Sequence, residues 1–230
     1  MKSYKKGTPD RALHDISRML DECVDEKHKY LLSCWLSEYA QYIKQEKTFE
    51  AHFLKRYKRG EILKVNLGYR LGAEEGGAHY AIVLDKANSL YSGTITVLPL
   101  SSKKPTTKLN RYTLDLGDEI YQLLKAKAQL AFSNSITGIH LPTQPVLAGE
   151  EFTIKVDINY EETQLILDEI NSMKEGSIAL ISQITSISKM RIMKPCRTTD
   201  ALSNVCLNSE TLNKIDSRIS SLYLNGNYEE

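Results

Sequence analysis

Three apolar runs in close succession constrain this chain most: "EILKVNL" (61–67), "HYAIVLDK" (79–86) and "GTITVLPLS" (93–101). Each is rich in β-branched and apolar residues and is bounded by Gly, Asn or Ser, which reads as a β-strand. The second and third follow each other closely. The first and second are joined by "GYRLGAEEGGA", which sets Gly72, Gly76 and Gly77 beside Glu74 and Glu75 and ends at His79. Hairpin loops usually take about two to five residues, so this one is long. Glycine permits positive φ and close backbone approach. The loop therefore reads as one that can fold over a bound strand or open for it, or as a plain flexible hairpin.

Helical periodicity takes over on both sides. Pro9-Asp10 suits a first helical turn, and Leu13, Ile16, Met19, Leu20 and Cys23 then recur at helical spacing. A second helix is expected from about 25 to 47, with Tyr30, Leu31, Cys34, Trp35, Tyr39, Tyr42 and Ile43 on one face. Two amphipathic helices need a cover: they form a hairpin laid on the main domain, or an interface. Downstream, "RYTLDL" and "EEFTIKVDI" read as strands, and 118–130 and 161–174 as helices. "GSIALISQITSISKMRI" is too long for one straight strand and is expected to bend or bulge near Gln183 or Thr185. Ser209 is expected to cap a last helix running from Thr211 to about Leu222. The expected fold class is α+β: a helical extension over 1–55, then a small, mostly antiparallel barrel over 56–230 interrupted by a partly helical insertion over 103–175.

Charge and cysteine content exclude several classes. The formal net charge is +1, so any argument for nucleic acid must be local. The four cysteines show no close pairing, and with the five histidines they make no zinc spacing. No metal and no cofactor is expected, and the thiols read as reduced ones of a cytoplasmic protein. The N-terminus lacks an apolar stretch after its basic residues, so no secretion signal is expected. No run approaches the roughly 20 apolar residues of a membrane helix.

The stretch "YKRGEILKVNLGYRLGAEEGGAHYAIVLDKAN", followed by "TITVLPLSS", resembles the opening of the PemK/MazF family of toxins from toxin–antitoxin systems. Those begin with a strand after Arg-Gly, a loop of type G-x-E-x-G-x-R-P, an apolar strand, and a third strand ending at Thr or Ser. "SIALISQITSISKMRI" resembles the family's second signature, and "LNSETLNKIDSRI" its C-terminal helix. The resemblance covers about 57–102 and 176–222. It implies an SH3-like barrel with a C-terminal helix, usually a homodimer, that cuts single-stranded RNA without a metal and is silenced by a cognate antitoxin. Relatives of the fold instead poison DNA gyrase, so a non-catalytic binding protein is the alternative.

The resemblance also implies site residues. His79 stands where the family usually has arginine, and Tyr80 where it has proline. Histidine can act as acid or base and, when protonated, can face a phosphate; otherwise it merely starts a strand. Ser101 ends the third strand where the family carries a hydroxyl, with Ser102 the choice if the register is one off. Glu74 aligns with the loop glutamate, as general base or as holder of a basic partner; Glu75 reads as solvated. For RNA binding the expected residues are Arg70 at the loop entrance, Gly76 and Gly77 in the loop, and Lys103 and Lys104 after the third strand. Gln183 either satisfies a buried group or reads a base. Lys55, Arg56, Lys58 and Arg59 read as a solvated linker, and Lys189 and Arg191 are further cations.

Overall fold

The computed structural model describes residues 7–141 and 153–224. Two helices lead: α1 (Pro9–Asp21), capped by the Thr8 hydroxyl, and α2 (Glu26–Gln45), whose first N–H groups donate to the Asp25 carboxylate. The three apolar runs form β1 (Ile62–Asn66), β2 (Ala78–Val83) and β3 (Thr94–Ser102). Then come β4 (Thr113–Gly117), α3 (Glu119–Asn134), β5 (Ile136–His140), β6 (Lys155–Ile158) and α4 (Glu161–Ser172). The chain closes with β7 (Ser177–Leu180), β8 (Thr185–Ser188), β9 (Ile192–Lys194) and α5 (Ser209–Tyr223).

Every ladder is antiparallel, in the order β4-β7-β3-β2-β1-β9, with β8 also pairing β3. The fold is α+β, as expected. No ladder among the described residues joins β9 to β4, so the strand pairings do not themselves show closure of the expected barrel. Pairing partners change along β3. Its first half pairs β2 and β8, while Leu100 and Ser101 pair Ala179 and Ile178 of β7. The long signature segment breaks where expected, through a 3-10 turn at Ile181–Gln183 that separates β7 from β8.

Period-two alternation sends the strand residues into two cores. Ile62, Ile82, Leu98 and Leu100 pack with Ile120 and Leu124 of α3, Ile166 and Ile170 of α4, and Ile215 of α5. Leu63, Val65, Ala81, Val83, Ile95 and Val97 pack on the other side with Tyr57, Ile187 and Ile192. Full burial of such a side chain contributes about 1.5–3 kcal/mol, so both faces of β1–β3 are strongly held.

Three expectations need correction. The cap of α5 is Asn208, whose side chain accepts from Thr211 N–H at 2.8 Å; Ser209 is the first helical residue. The strand β5 was not anticipated; it pairs only with β6 in a ribbon whose residues are largely exposed. The first basic cluster is in part structural: Lys55 pairs with buried Glu61, and Arg59 with Asp216. Residues 150–152 of the expected strand around β6 lie outside the described residues. Neither leading helix has a fully buried residue, but α2 lays Trp35 against the β1–β2 loop at Gly68.

Candidate active site

The site begins where β2 and β3 part. Their ladder ends at Ala81↔Pro99, and beyond it β3 pairs β7 on its other edge. The residues just beyond, Ala78–Tyr80 and Leu100–Ser102, therefore diverge and leave a cleft of about 240 Å³. His79 lies across the gap: its Nδ1 is 3.0 Å from the Leu100 carbonyl oxygen. Its Nε2 is 3.0 Å from Glu75 Oε1. Both partners are acceptors, so the ring satisfies both only when both nitrogens carry protons. Side-chain exposure of 24% for His79 and 28% for Glu75 keeps the pair partly dehydrated.

The loop carrying Glu75 is fastened at its base. Leu67 N–H donates to the Gly77 carbonyl, and Gly77 N–H to that of Gly68, each at 2.8 Å. Gly77 has a φ of +85°. A Cβ on Gly76 would stand 2.8 Å from the Gly68 carbonyl oxygen, so glycine is required for the close approach. Gln183 fastens the far side: its Oε1 accepts from Glu75 N–H at 3.3 Å and its Nε2 donates to the Ala73 carbonyl at 3.2 Å. Of the two sequence readings for Gln183, the structure shows it satisfying loop backbone groups.

Ser101 and Lys104 share the cleft with His79. Glu74 does not: it is exposed, and its ion partner is Arg70, at 3.9 Å. The arginine also donates from Nε to the Leu67 carbonyl at 3.0 Å. Arg70, Glu74, Glu75 and Gln183 line a second, adjoining cleft. Lys103 turns away to Asp115, where its ammonium and the Gly117 N–H hold that carboxyl below the usual range. Lys189 is buried and donates to the Ser89 carbonyl, so it faces no substrate. Arg191 lies over the Trp35 ring, 5.2 Å from its centroid.

Behind the cleft is a polar cluster that sequence reading missed. The Glu169 side chain is 1% exposed. Its Oε1 accepts from the Tyr80 hydroxyl at 2.6 Å and its Oε2 from Lys194 Nζ at 2.8 Å, with Lys64 Nζ at 3.7 Å. Burial opposes its ionisation, but these hydrogen bonds and the two ammonium groups outweigh burial and lower its pKa. Burial and the Glu169 hydrogen bond push the Tyr80 phenol well above its usual range. One signal was readable: Glu169 interrupts the apolar stripe of α4, three residues after Ile166 and one before Ile170. Glu75 left none, since it differs from Glu74 only in the direction it takes from the loop. Among the described residues no group of three His, Cys, Asp or Glu side chains is arranged to hold a metal ion, and no helix is long and apolar enough to cross a membrane.

These features define a small antiparallel α+β domain with a charged cleft at a strand break, and a glycine-rich loop whose Glu75 meets His79 at its edge. Over residues 58–135 the chain is similar to the PemK/MazF family: that segment matches the family model described as PemK-like, MazF-like toxin of type II toxin-antitoxin system. The match contains β1–β3 with His79 and Ser101, and extends through β4 and α3. The second signature, around Gln183, and α5 lie outside it. A comparison with curated proteins found no match.

Proposed function

We propose that this protein is a toxin-type endoribonuclease that cleaves single-stranded RNA by attack of the ribose 2′-hydroxyl on the adjacent phosphorus. The observation that carries the reading is that His79, paired with Glu75 at 3.0 Å, shares one cleft with Ser101 and Lys104. In the proposed step Glu75 takes the 2′-hydroxyl proton. The 2′-oxygen bonds to phosphorus, and the bond to the 5′-oxygen breaks. His79 gives its Nε2 proton to that oxygen. The products are a 2′,3′-cyclic phosphate and a 5′-hydroxyl. Proton transfer from Glu75 back to His79 across their contact restores the site. Before reaction the imidazolium faces the phosphate, and the Ser101 hydroxyl and the Lys104 ammonium stabilise the charge that grows on the phosphoryl oxygens.

Gly76 and Gly77 let the loop backbone come close to the strand, and Arg70 and Gln183 extend the surface into the adjoining cleft. Glu74 serves as the holder of Arg70 and not as the base. A cognate antitoxin and a second copy of the chain are the proposed protein partners, by family. The extension over 1–55 and the barrel domain over 56–230 are proposed as the functional division of the chain.

The test is incubation of purified protein with a long unstructured RNA in EDTA. We expect fragments ending in 5′-hydroxyl and 2′,3′-cyclic phosphate, and none from His79→Ala at unchanged far-UV circular dichroism. Intact RNA together with inhibited DNA supercoiling would establish the gyrase-directed alternative instead.

A further inference from the structure

The cleft has walls of two origins. One is built by β2 and β3, inside the matched family segment, and carries His79, Ser101 and Lys104. The other comes from the end of α4 and the chain that follows it, outside that segment, and carries Ser172, Met173 and Lys174. This second wall is fixed by interior contacts. Glu169, one turn before the end of α4, reaches Tyr80 on β2 and Lys194 on β9, and Lys64 of β1 lies close. The Ser172 hydroxyl is 3.3 Å from the Tyr80 hydroxyl. Gly176, with a φ of +82°, is held against β3, where Lys103 N–H donates to its carbonyl at 3.0 Å. Between these anchors the chain carries Lys174 past the cleft. Lys103 is neutralised by Asp115, whereas among the described residues neither Lys104 nor Lys174 has an ion pair.

We propose that Lys174 contacts a backbone phosphate of the bound single-stranded RNA from the α4 side of the cleft, and that Glu169 is the positioning residue that holds this wall. The inference rests on the reading of the cleft as an RNA-cleavage site. It gives the segment between β6 and β7 a part in substrate binding rather than in packing alone. Lys174 is exposed beside a serine-lined cleft, and among the described residues no acidic side chain pairs with it. A phosphate offers it a charge-assisted hydrogen bond.

The experiment measures binding of an uncleavable, fully 2′-O-methylated RNA oligonucleotide by fluorescence anisotropy over a salt series. Loss of one phosphate contact reduces the slope of log affinity against log salt by about 0.7, and weakens binding about eightfold at about 50 mM salt. Lys174→Ala should show both changes, and Lys174→Arg should restore parental behaviour. If Lys174→Ala keeps the parental slope while the parent binds and Lys104→Ala lowers it, the inference falls and the RNA reading stands. If the parent binds no oligonucleotide at any salt, the RNA reading itself falls, and the inference with it. Weaker binding of Lys174→Ala with an unchanged slope would mark the residue as structural and would also overturn the proposal.

Discussion

Replacing Glu169 by glutamine tests the clamp between α4 and the sheet with little change of shape. The parental carboxylate is 1% exposed and accepts from Tyr80 and Lys194 at 2.6 and 2.8 Å. An amide oxygen can still accept from one of them, but the charge is gone and its NH₂ faces the other donor. Loss of a hydrogen bond to a charged group costs about 1.5–3 kcal/mol. Removing one member of a buried ion pair reaches about 3–5 kcal/mol when the other charge is stranded. Lys194 is not stranded, because its side chain is 49% exposed and can return to water. The expected destabilisation of Glu169→Gln is therefore about 1.5–3 kcal/mol at pH 7.

Urea titration followed by far-UV circular dichroism reads this as a shift in midpoint at constant slope. The effect must also depend on pH. The folded pKa of Glu169 is lowered from its ordinary value of 4.5. Its charge therefore contributes stability that is fully present above 4.5 and is lost as pH falls through the folded value. The gap between parent and variant should narrow as pH falls below 4.5 and through the lowered folded value. Equal midpoints at pH 7, or a gap that persists unchanged in acid, would refute the clamp.

Gly68→Val places a Cβ about where Trp35 ring carbons lie at 2.6 Å, at a φ of +78°. Emission from Trp35, the single tryptophan of the chain, should shift to the red while the far-UV spectrum holds; an unshifted spectrum would show that α2 does not dock there. Gln183→Ala removes both hydrogen bonds that hold the Ala73–Glu75 side of the loop. At about 0.5–1 kcal/mol for each exposed bond, RNA cleavage should fall about five- to thirtyfold, with the melting temperature little changed; full activity would exclude Gln183 as the loop's fastening. Ser101→Ala should lower single-turnover cleavage by about 1.5–3 kcal/mol, one hydrogen bond to a charged group. An effect at Ser102 alone would move the hydroxyl's role one residue along β3.

Much of this was legible because local rules decide it. The β-branched runs of β1–β3 bury both faces, so their composition and alternation already name them as strands. The bend in the second signature was readable from a strand too long to be straight. Helices α1 to α5 announced themselves by apolar periodicity, with ends that shifted by a few residues. Asn208 rather than Ser209 caps α5 because either side chain can accept from the first turn, and the backbone that exits the preceding bridge at Cys206 chooses between them.

What only the tertiary structure decided is which of several chemically equal neighbours faces the cleft. Glu75 and not Glu74 meets His79, because the Gln183 bonds turn the loop so. Lys104 and not Lys103 keeps its charge unpaired among the described residues, because β4 brings Asp115 to the latter. Lys189, read as a further cation after the second signature, is buried and donates to the Ser89 carbonyl. The wall bearing Lys174 is formed by a carboxylate on α4 and by residues of β1, β2 and β9, up to about a hundred positions away in sequence. Period and composition describe a residue's own element. They carry no information on which other element arrives beside it, and in this cleft that arrival sets the chemistry.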